Sequence, residues 1–173
     1  MKQIVLVVGA SGVGKDTLLK EAQNKMSFNF VKRYITREPD KNEQNYYVEE
    51  NAFEVLKNSD FFISSWEAHN NKYGISKNQI KDGLNIISIS RGAIKDFETN
   101  FQNVITIEVT LPKDVLYERL KNRARESEEE IINRLNRVYE KIVAKNLIYF
   151  DNSQNLKTST KKFVEILNEI KNK

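Results

Sequence analysis

Three largely apolar runs, rich in valine and isoleucine, lie at residues 3–8, 84–90 and 104–109. Runs of this kind are typical of strands that are buried on both faces of a parallel sheet. Shorter runs predict four more strands, at residues 30–36, 46–48, 61–66 and 147–150. The polar, strand-rich stretch between about residues 33 and 75 is therefore interpreted as an insertion on the main sheet.

Helices are predicted between these strands, at residues 15–25, after Pro112, at 127–144 and at 158–171. The clearest of them begins at Ser127, which forms the pattern of a capping box with Glu130. Its apolar positions recur at helical spacing: Ile131, Leu135, Val138 and Ile142. Buried strands that alternate with helices predict an α/β fold, with a mostly parallel sheet covered by helices on both faces.

Composition limits the class of protein. With 173 residues, 39% hydrophobic and 30% charged, the chain fits one folded domain. No apolar run approaches the roughly 18 residues that cross a bilayer, and there is no cysteine for a disulfide framework. We therefore expect a cytoplasmic protein without a membrane partner.

The net charge of +4 raises the question of nucleic acid binding. The basic residues are interspersed with 24 acidic ones, and no basic block or tail is present. We expect no nucleic acid partner, because the arginines fall at particular motif positions that suit a small polyphosphate. Salt-dependent DNA binding would reverse that interpretation.

A glycine-rich loop follows the first predicted strand and opens the first predicted helix. It reads G-A-S-G-V-G-K and fits the phosphate-binding pattern G-x-x-x-x-G-K in the required context. Its backbone N–H groups cradle phosphates, and its lysine reaches the β- and γ-phosphates of ATP. The candidate nucleotide-binding residues are Gly9, Ala10, Ser11, Gly12, Val13, Gly14, Lys15, Asp16 and Thr17.

Asp16 departs from this pattern, which normally has Ser or Thr after the lysine to bind Mg²⁺. A carboxylate is a hard oxygen ligand that also suits Mg²⁺, so Asp16 is our metal-ligand candidate. An acidic residue is equally favourable in a first helical turn, and the two interpretations are compatible.

Three more segments follow the loop in a recognisable order, at residues 33–40, 65–75 and 119–127. Together with the loop they resemble the guanylate kinase superfamily over about residues 3–153. The G-K-D ending, the R-Y-I-T-R segment and W-x-A-H-x-x-x-Y-G-I resemble the ribose 1,5-bisphosphate phosphokinase family in particular. That family transfers phosphate from ATP to ribose 1,5-bisphosphate and makes phosphoribosyl pyrophosphate (PRPP) during bacterial phosphonate degradation.

The resemblance implies a single P-loop NTPase-type domain with three functional regions. The core would comprise residues 1–32, 76–112 and 145–173, with acceptor binding at 33–75 and a helical lid at 113–144. The guanine-binding positions of guanylate kinases correspond to Asn45 and Ser64, and the second arginine of their T-R-x-x-R motif corresponds to Asp40. A site built for guanine loses its discrimination without those partners, which favours a sugar phosphate acceptor.

Acceptor binding is assigned through the resemblance to Arg33, Arg37, His69, Tyr73 and Arg91. Arg33 and Arg37 are four residues apart and are expected to point to one face. Their planar forks match phosphate. No acidic residue follows the strand at 84–90, where guanylate kinases have one, so the second ligand of the metal stays open.

The lid contributes further arginines. Arg119 and Arg123 lie four apart on one predicted helical face, and Arg125 follows at the turn. We assign Arg123 and Arg134 to transition-state stabilisation together with Lys15, and Arg119 to nucleotide binding. For Arg137 we favour a solvated surface position. Asn152, after the last strand, matches the adenine-edge loop of the family.

The sequence thus predicts an ATP- and Mg²⁺-dependent kinase that acts on a small sugar phosphate. A guanylate kinase with unusual base contacts and a non-catalytic guanylate-kinase-like binding module are the alternatives. The intact loop with Lys15 disfavours the second of them. The oligomeric state is left open, with a homodimer as one alternative.

Overall fold

The computed structural model describes residues 1–39, 44–123, 127–136 and 141–172. In these residues the strands and helices alternate along the chain as the apolar pattern predicts. In chain order they are β1 (Lys2–Val8), α1 (Lys15–Gln23), β2 (Asn29–Val31), β3 (Tyr34–Ile35), β4 (Tyr46–Tyr47), α2 (Glu50–Asn58), β5 (Phe62–Ala68), β6 (Asn71–Ser76), β7 (Gly83–Ser88), α3 (Ile94–Asn100), β8 (Val104–Thr110), α4 (Lys113–Arg123), α5 (Glu128–Leu135), β9 (Leu147–Asp151) and α6 (Leu156–Lys171).

The central sheet has five strands in the order β2-β7-β1-β8-β9, and all its pairs are parallel. β1 lies in the middle and is covered on both faces. Val5 and Val7 pack into one core cluster together with α1 and α6, whereas Ile4, Leu6 and Val8 pack into the other with α3. This two-sided burial explains the continuous apolar run of β1, and the predicted α/β fold is confirmed.

A second sheet, in the order β4-β3-β6-β5, extends from the end of β2. The single strand predicted at residues 30–36 is wrong, because β2 belongs to the central sheet and β3 to the second one. The Gln79 side chain explains the interruption: it accepts from the Lys32 backbone N–H at 2.9 Å and donates to the Lys32 carbonyl at 2.8 Å. These bonds occupy backbone groups that would otherwise continue a strand ladder.

The lid consists of α4 and α5, which pack through Leu116, Leu120 and Ile131. The predicted capping box at Ser127 and Glu130 is confirmed. The helix predicted to reach residue 144 is too long, since α5 ends at Leu135 and residues 141–144 are not helical. Ile142 packs instead against the core cluster around α3, so its apolar character reflects a core position.

Sequence reasoning missed α2, α3 and β6 in the described residues. Lys72 of β6 forms ion pairs with Glu50 and Glu54 of α2, at 2.8 and 2.7 Å, and thereby fixes that helix to the second sheet. In the described parts of the chain, none of the helices is long and apolar enough to span a bilayer.

Candidate active site

The glycine loop lies between β1 and α1, at the carboxyl edge of the central sheet. Gly9 has a φ of 152°, and a Cβ there would lie 2.4 Å from the Val109 carbonyl oxygen, so β8 excludes any side chain. Gly14 adopts a φ of 91° at the N-cap of α1, which has no side-chain cap. The first N–H groups of α1 are therefore available to phosphate oxygens.

Lys15 is partly buried beneath this loop. Its Nζ donates to the carbonyl oxygens of Gly9 at 2.7 Å and Ala10 at 3.1 Å. Loss of hydration lowers the pKa of Lys15 to about 8; the carboxylate of Asp16 opposes the shift, while the charges of Arg33 and Arg91 reinforce it. Residues from the loop, the acceptor region and the end of β7 thus act on a single ammonium group.

Arg33 reaches towards the loop from the segment between β2 and β3 and is mostly buried. Its Nη2 lies 4.0 Å from Asp16 Oδ1, and its Nε donates to Asn45 Oδ1 at 3.1 Å. Its Cζ lies 5.8 Å from the centroid of the Tyr73 ring. The structure therefore brings two predicted acceptor residues, Arg33 and Tyr73, beside the predicted metal ligand Asp16.

Arg91 follows β7 in a short 3-10 turn and pairs with Glu108 of β8 at 2.8 Å, with both side chains mostly buried. Glu108 is opposite Val8 in the register of β1 and β8, directly before the loop begins. Sequence reasoning missed Glu108. The signal was available, because it is the one charged residue in a strand that otherwise consists of valine, isoleucine and threonine.

The lid and the last strand contact the loop from the other side. Arg119 Nη2 donates to the Asn152 carbonyl at 2.7 Å, and Asn152 Nδ2 donates to the Val13 carbonyl at 2.8 Å. Arg134 Nη1 donates to Ser11 Oγ at 3.0 Å. Burial, followed by the nearby charge of Arg123, lowers the pKa of Arg119. These contacts connect α4 and α5, which form the predicted lid, to Asn152 and the loop.

Several other predicted residues are at the surface or bond to a neighbouring backbone group. Thr17 and Arg123 are exposed, and Arg37 donates to the Glu38 carbonyl at 3.0 Å. His69 is exposed in the two-residue turn between β5 and β6, where its φ is 52°. The predictions for Asp40, Arg125, Arg137 and Val138 fall outside the described residues.

The two positions that replace guanine contacts both have protein partners. Asn45 accepts from Arg33 as described above, and Ser64 Oγ donates to Asp96 Oδ2 at 2.6 Å. Trp66 stacks on Tyr73 with ring centroids 5.6 Å apart and an interplanar angle of 5°. Trp66 also packs against the core cluster around α3, so the aromatic pair is anchored.

This arrangement suits two phosphate-bearing molecules that meet near Lys15. Arginine and lysine side chains neutralise phosphoryl charge, and the α1 N-terminus adds its partial positive charge. Among the described residues, no three or more His, Cys, Asp or Glu side chains converge as a metal cluster. Mg²⁺ commonly takes only one or two carboxylates besides water and substrate phosphates, so Asp16 alone is compatible with it.

Comparison with known proteins identifies similar chains. A family described as "AAA domain" matches residues 5–162. The chain is 38% identical over 146 residues to the bifunctional ribose 1,5-bisphosphokinase-thymidine phosphorylase of Roseobacter denitrificans, covering 79% of this chain but only 22% of that protein. It is 36% identical over 143 residues to the ribose 1,5-bisphosphate phosphokinase PhnN of Agrobacterium fabrum, covering 78% of each chain.

Among solved structures, a guanylate kinase from Anaplasma phagocytophilum has the same fold. The TM-score is 0.67 at 18% sequence identity, and the match covers 99% of this chain and 87% of that one. At this identity the likeness concerns the fold alone.

Proposed function

The chain belongs to the ribose 1,5-bisphosphate phosphokinase family, and we propose that it uses ATP to phosphorylate ribose 1,5-bisphosphate, giving PRPP and ADP. The observation that carries this proposal is the position of Arg33. This arginine lies against Tyr73 and faces Asp16, next to the lysine of the phosphate loop. This position supports a role for Arg33 in holding a phosphorylated acceptor in front of the triphosphate.

In the proposed reaction the loop residues 9–17, Arg119 and Asn152 bind ATP. Arg33, Arg37 and Tyr73 hold the acceptor, with Arg91 and His69 as further candidates from the sequence. An oxygen of the 1-phosphate attacks the γ-phosphorus in line, and the bond to the bridging oxygen of ADP breaks. The attacking oxygen is already ionised near neutral pH, so positioning and charge neutralisation suffice without a general base.

Lys15, Arg123 and Arg134 are proposed to stabilise the charge that develops on the transferred group. The contact of Arg134 with Ser11 supports a role for the lid at this position. Exclusion of water by the lid would favour transfer to the sugar phosphate over hydrolysis of ATP.

Mg²⁺ is proposed as the cofactor, with Asp16 as its protein ligand. When bound, the ion neutralises charge on the phosphate oxygens of ATP. The carboxylate of Asp16 also faces Arg33 at 4.0 Å, and its second oxygen adds ligand capacity. We further propose a cytoplasmic location, in keeping with soluble substrates of this kind, and the three functional regions given by the sequence.

The identity and the hydrogen bonds of Asn45 and Ser64 favour the sugar phosphate over GMP as the acceptor. The resemblance implies a tyrosine and a glutamate at these positions in guanylate kinases, whereas Asn45 and Ser64 are shorter. Asn45 Oδ1 and Ser64 Oγ each have a partner inside the protein. The Ser64 hydroxyl already donates its one proton to Asp96, so it donates to a guanine base only if that hydrogen bond breaks.

An acceptor panel tests the proposal. Purified protein with MgATP is incubated with ribose 1,5-bisphosphate, ribose 5-phosphate or GMP, and both ADP and the phosphorylated product are measured. We expect product only with ribose 1,5-bisphosphate, identified as PRPP by its consumption by a phosphoribosyltransferase. Formation of GDP at a higher rate than PRPP would replace the proposal with the guanylate kinase alternative.

A further inference from the structure

We infer that Ser64 and Asp96 form a subsite for the ribose hydroxyls of the acceptor, with Asp96 as the residue that determines specificity for the sugar. This inference rests on the proposed function and extends it from the phosphates to the sugar, because neither residue carries a positive charge. The experiment below separates a failure of the subsite from a failure of the kinase assignment.

The contact between the two residues joins separate elements. Ser64 is buried in β5, and its hydroxyl donates to the Asp96 carboxylate at 2.6 Å. This short distance is typical of a charge-assisted hydrogen bond. Asp96 is exposed in the first turn of α3. A carboxylate accepts about four hydrogen bonds, so one bond to Ser64 fixes its orientation and leaves capacity for a ligand.

The strand register places this pair on the floor that carries the acceptor residues. Trp66 is opposite Tyr73 and Ser64 is opposite Ile75 in the pairing of β5 with β6. Side chains two residues apart on a strand share a face. Ser64 and Tyr73 therefore lie on the same face of the second sheet, and Arg33 lies over the Tyr73 ring on that face.

The spacing across the sheet suits a sugar ring. Arg33 immediately precedes β3, Ser64 lies in β5, and β6 runs between these strands. Two strand spacings separate them, which is about 10 Å. A phosphate held at Arg33 would leave the attached ribose over the Tyr73 and Trp66 rings, with its hydroxyl edge towards Asp96.

Because Asp96 is negatively charged, it is expected to contact the hydroxyls of the acceptor and not its phosphates. A carboxylate repels phosphate and accepts hydrogen bonds, and the hydroxyls are the hydrogen-bond donors of ribose 1,5-bisphosphate at neutral pH. A carboxylate beside a serine hydroxyl is thus suited to the neutral diol of a sugar whose two ends are anionic. A carboxylate also accepts from the edge of guanine, and the GMP arm of the acceptor panel tests that occupant.

The test compares ribose 1,5-bisphosphate with 2-deoxyribose 1,5-bisphosphate as acceptors for the wild-type protein, Asp96→Asn and Ser64→Ala. Hydrogen bonds to a charged group contribute about 1.5–3 kcal/mol, so the wild type should prefer ribose by about tenfold to a hundredfold in kcat/KM. Asp96→Asn should reduce this preference to about threefold or less, by losing activity with ribose and not with the deoxy sugar. The KM for ATP should be unchanged.

Glu67→Gln is the matched control, because Glu67 is an exposed acid of the same strand. It removes one negative charge as Asp96→Asn does and should keep the full preference for ribose. Ser64→Ala keeps the carboxylate but frees its orientation, and we expect an intermediate preference. If Asp96→Asn fails to fold, as judged by thermal unfolding, the preference for ribose over the deoxy sugar is measured with Ser64→Ala instead.

The two failures have different signatures. If the wild type transfers phosphate to ribose 1,5-bisphosphate without any preference over the deoxy sugar, the subsite is refuted and the proposed function stands. The same conclusion follows if Asp96→Asn, or Ser64→Ala in its place, lowers activity equally with both sugars. If the wild type transfers phosphate to GMP and not to either sugar, the proposed function fails, and the subsite with it.

Discussion

The donor side and the acceptor side of the candidate site are built in different ways. The donor side is a continuous segment from Gly9 to Lys15, and its shape depends on backbone contacts such as that of Gly9 with the Val109 carbonyl. The acceptor side is assembled from side chains of separate elements, with Arg33 held by Asn45 and placed against Tyr73. A backbone cradle tolerates few substitutions, whereas a side-chain pocket changes its ligand when one residue changes.

This difference explains how one phosphate loop serves several acceptors within a fold. The loop is proposed to bind the triphosphate, and the contact of Gly9 with the Val109 carbonyl leaves its backbone little freedom to change. The second sheet carries Ser64 at a position that corresponds to a guanine contact, and Asp96 reaches this serine from α3. We therefore expect changes on the donor side to abolish transfer and changes on the acceptor side to alter selectivity.

The largest effect is expected from Lys15→Ala, which removes the charge at the centre of the donor side. Removal of one group that stabilises a transition state typically lowers kcat by about 10²–10³-fold. Steady-state assays with ribose 1,5-bisphosphate measure this loss, and circular dichroism checks the fold. Lys20→Ala, an exposed lysine of the same helix, should keep wild-type activity. Undiminished transfer by Lys15→Ala would remove the phosphate loop from the mechanism.

The second prediction concerns the backbone of the loop. A Cβ at Gly14 would lie 2.9 Å from Asn152 Nδ2, whose position is fixed by its bond to the Val13 carbonyl. Gly14→Ala should therefore raise the Kd for ATP by at least about tenfold, in addition to a loss of stability of roughly 1–2 kcal/mol from strain at a positive φ. Calorimetric titration with ATP measures the change in affinity, and thermal unfolding measures the loss of stability.

Gly83→Ala is the control for that experiment. Gly83 has a φ of 90°, but a Cβ there has nothing within 4 Å. It should lose a similar amount of stability from strain alone and should bind ATP normally. Equal ATP binding by the two variants would show that the contact with Asn152 is not required on the donor side.

A smaller and more selective effect is expected from Arg33→Lys. The change keeps one positive charge but removes the planar fork and the Nε that donates to Asn45. The KM for ribose 1,5-bisphosphate should rise by about tenfold to a hundredfold, while the KM for ATP stays within about twofold. An equal rise in both constants would contradict the division into donor and acceptor sides.

The smallest effect is expected on the pH dependence of the reaction, because charged residues of both sides act on Lys15. Because the pKa of Lys15 is about 8, its ammonium is charged below pH 8 and loses its proton above it. The kcat/KM for ATP at saturating acceptor and Mg²⁺ should therefore fall as pH rises through about 8. Asp16→Asn removes a charge that raises this pKa, so the falling limb should move to lower pH. A shift in the opposite direction would refute this electrostatic coupling.

Much of the fold was predictable because its signals are local. The apolar runs of β1, β7 and β8 and the capping box at Ser127 depend on neighbours in sequence. The errors occurred where a distant residue decides the local structure. Gln79 separates β2 from β3 by bonding the backbone of Lys32, and the core cluster around α3 recruits Ile142 from the predicted helix.

The site divides in the same manner. The sequence by itself determined the phosphate loop, since the spacing of Gly9, Gly12, Gly14 and Lys15 encodes a backbone shape directly. Only the tertiary structure decided that Glu108 pairs with Arg91 and that Ser64 donates a hydrogen bond to Asp96. These contacts join residues 17 and 32 positions apart. Residues so far apart are not related by the periodicity of a helix or a strand, so the sequence pattern does not predict their contact. The donor side was therefore readable from sequence, whereas the selectivity of the acceptor side depends on how the second sheet and α3 pack together.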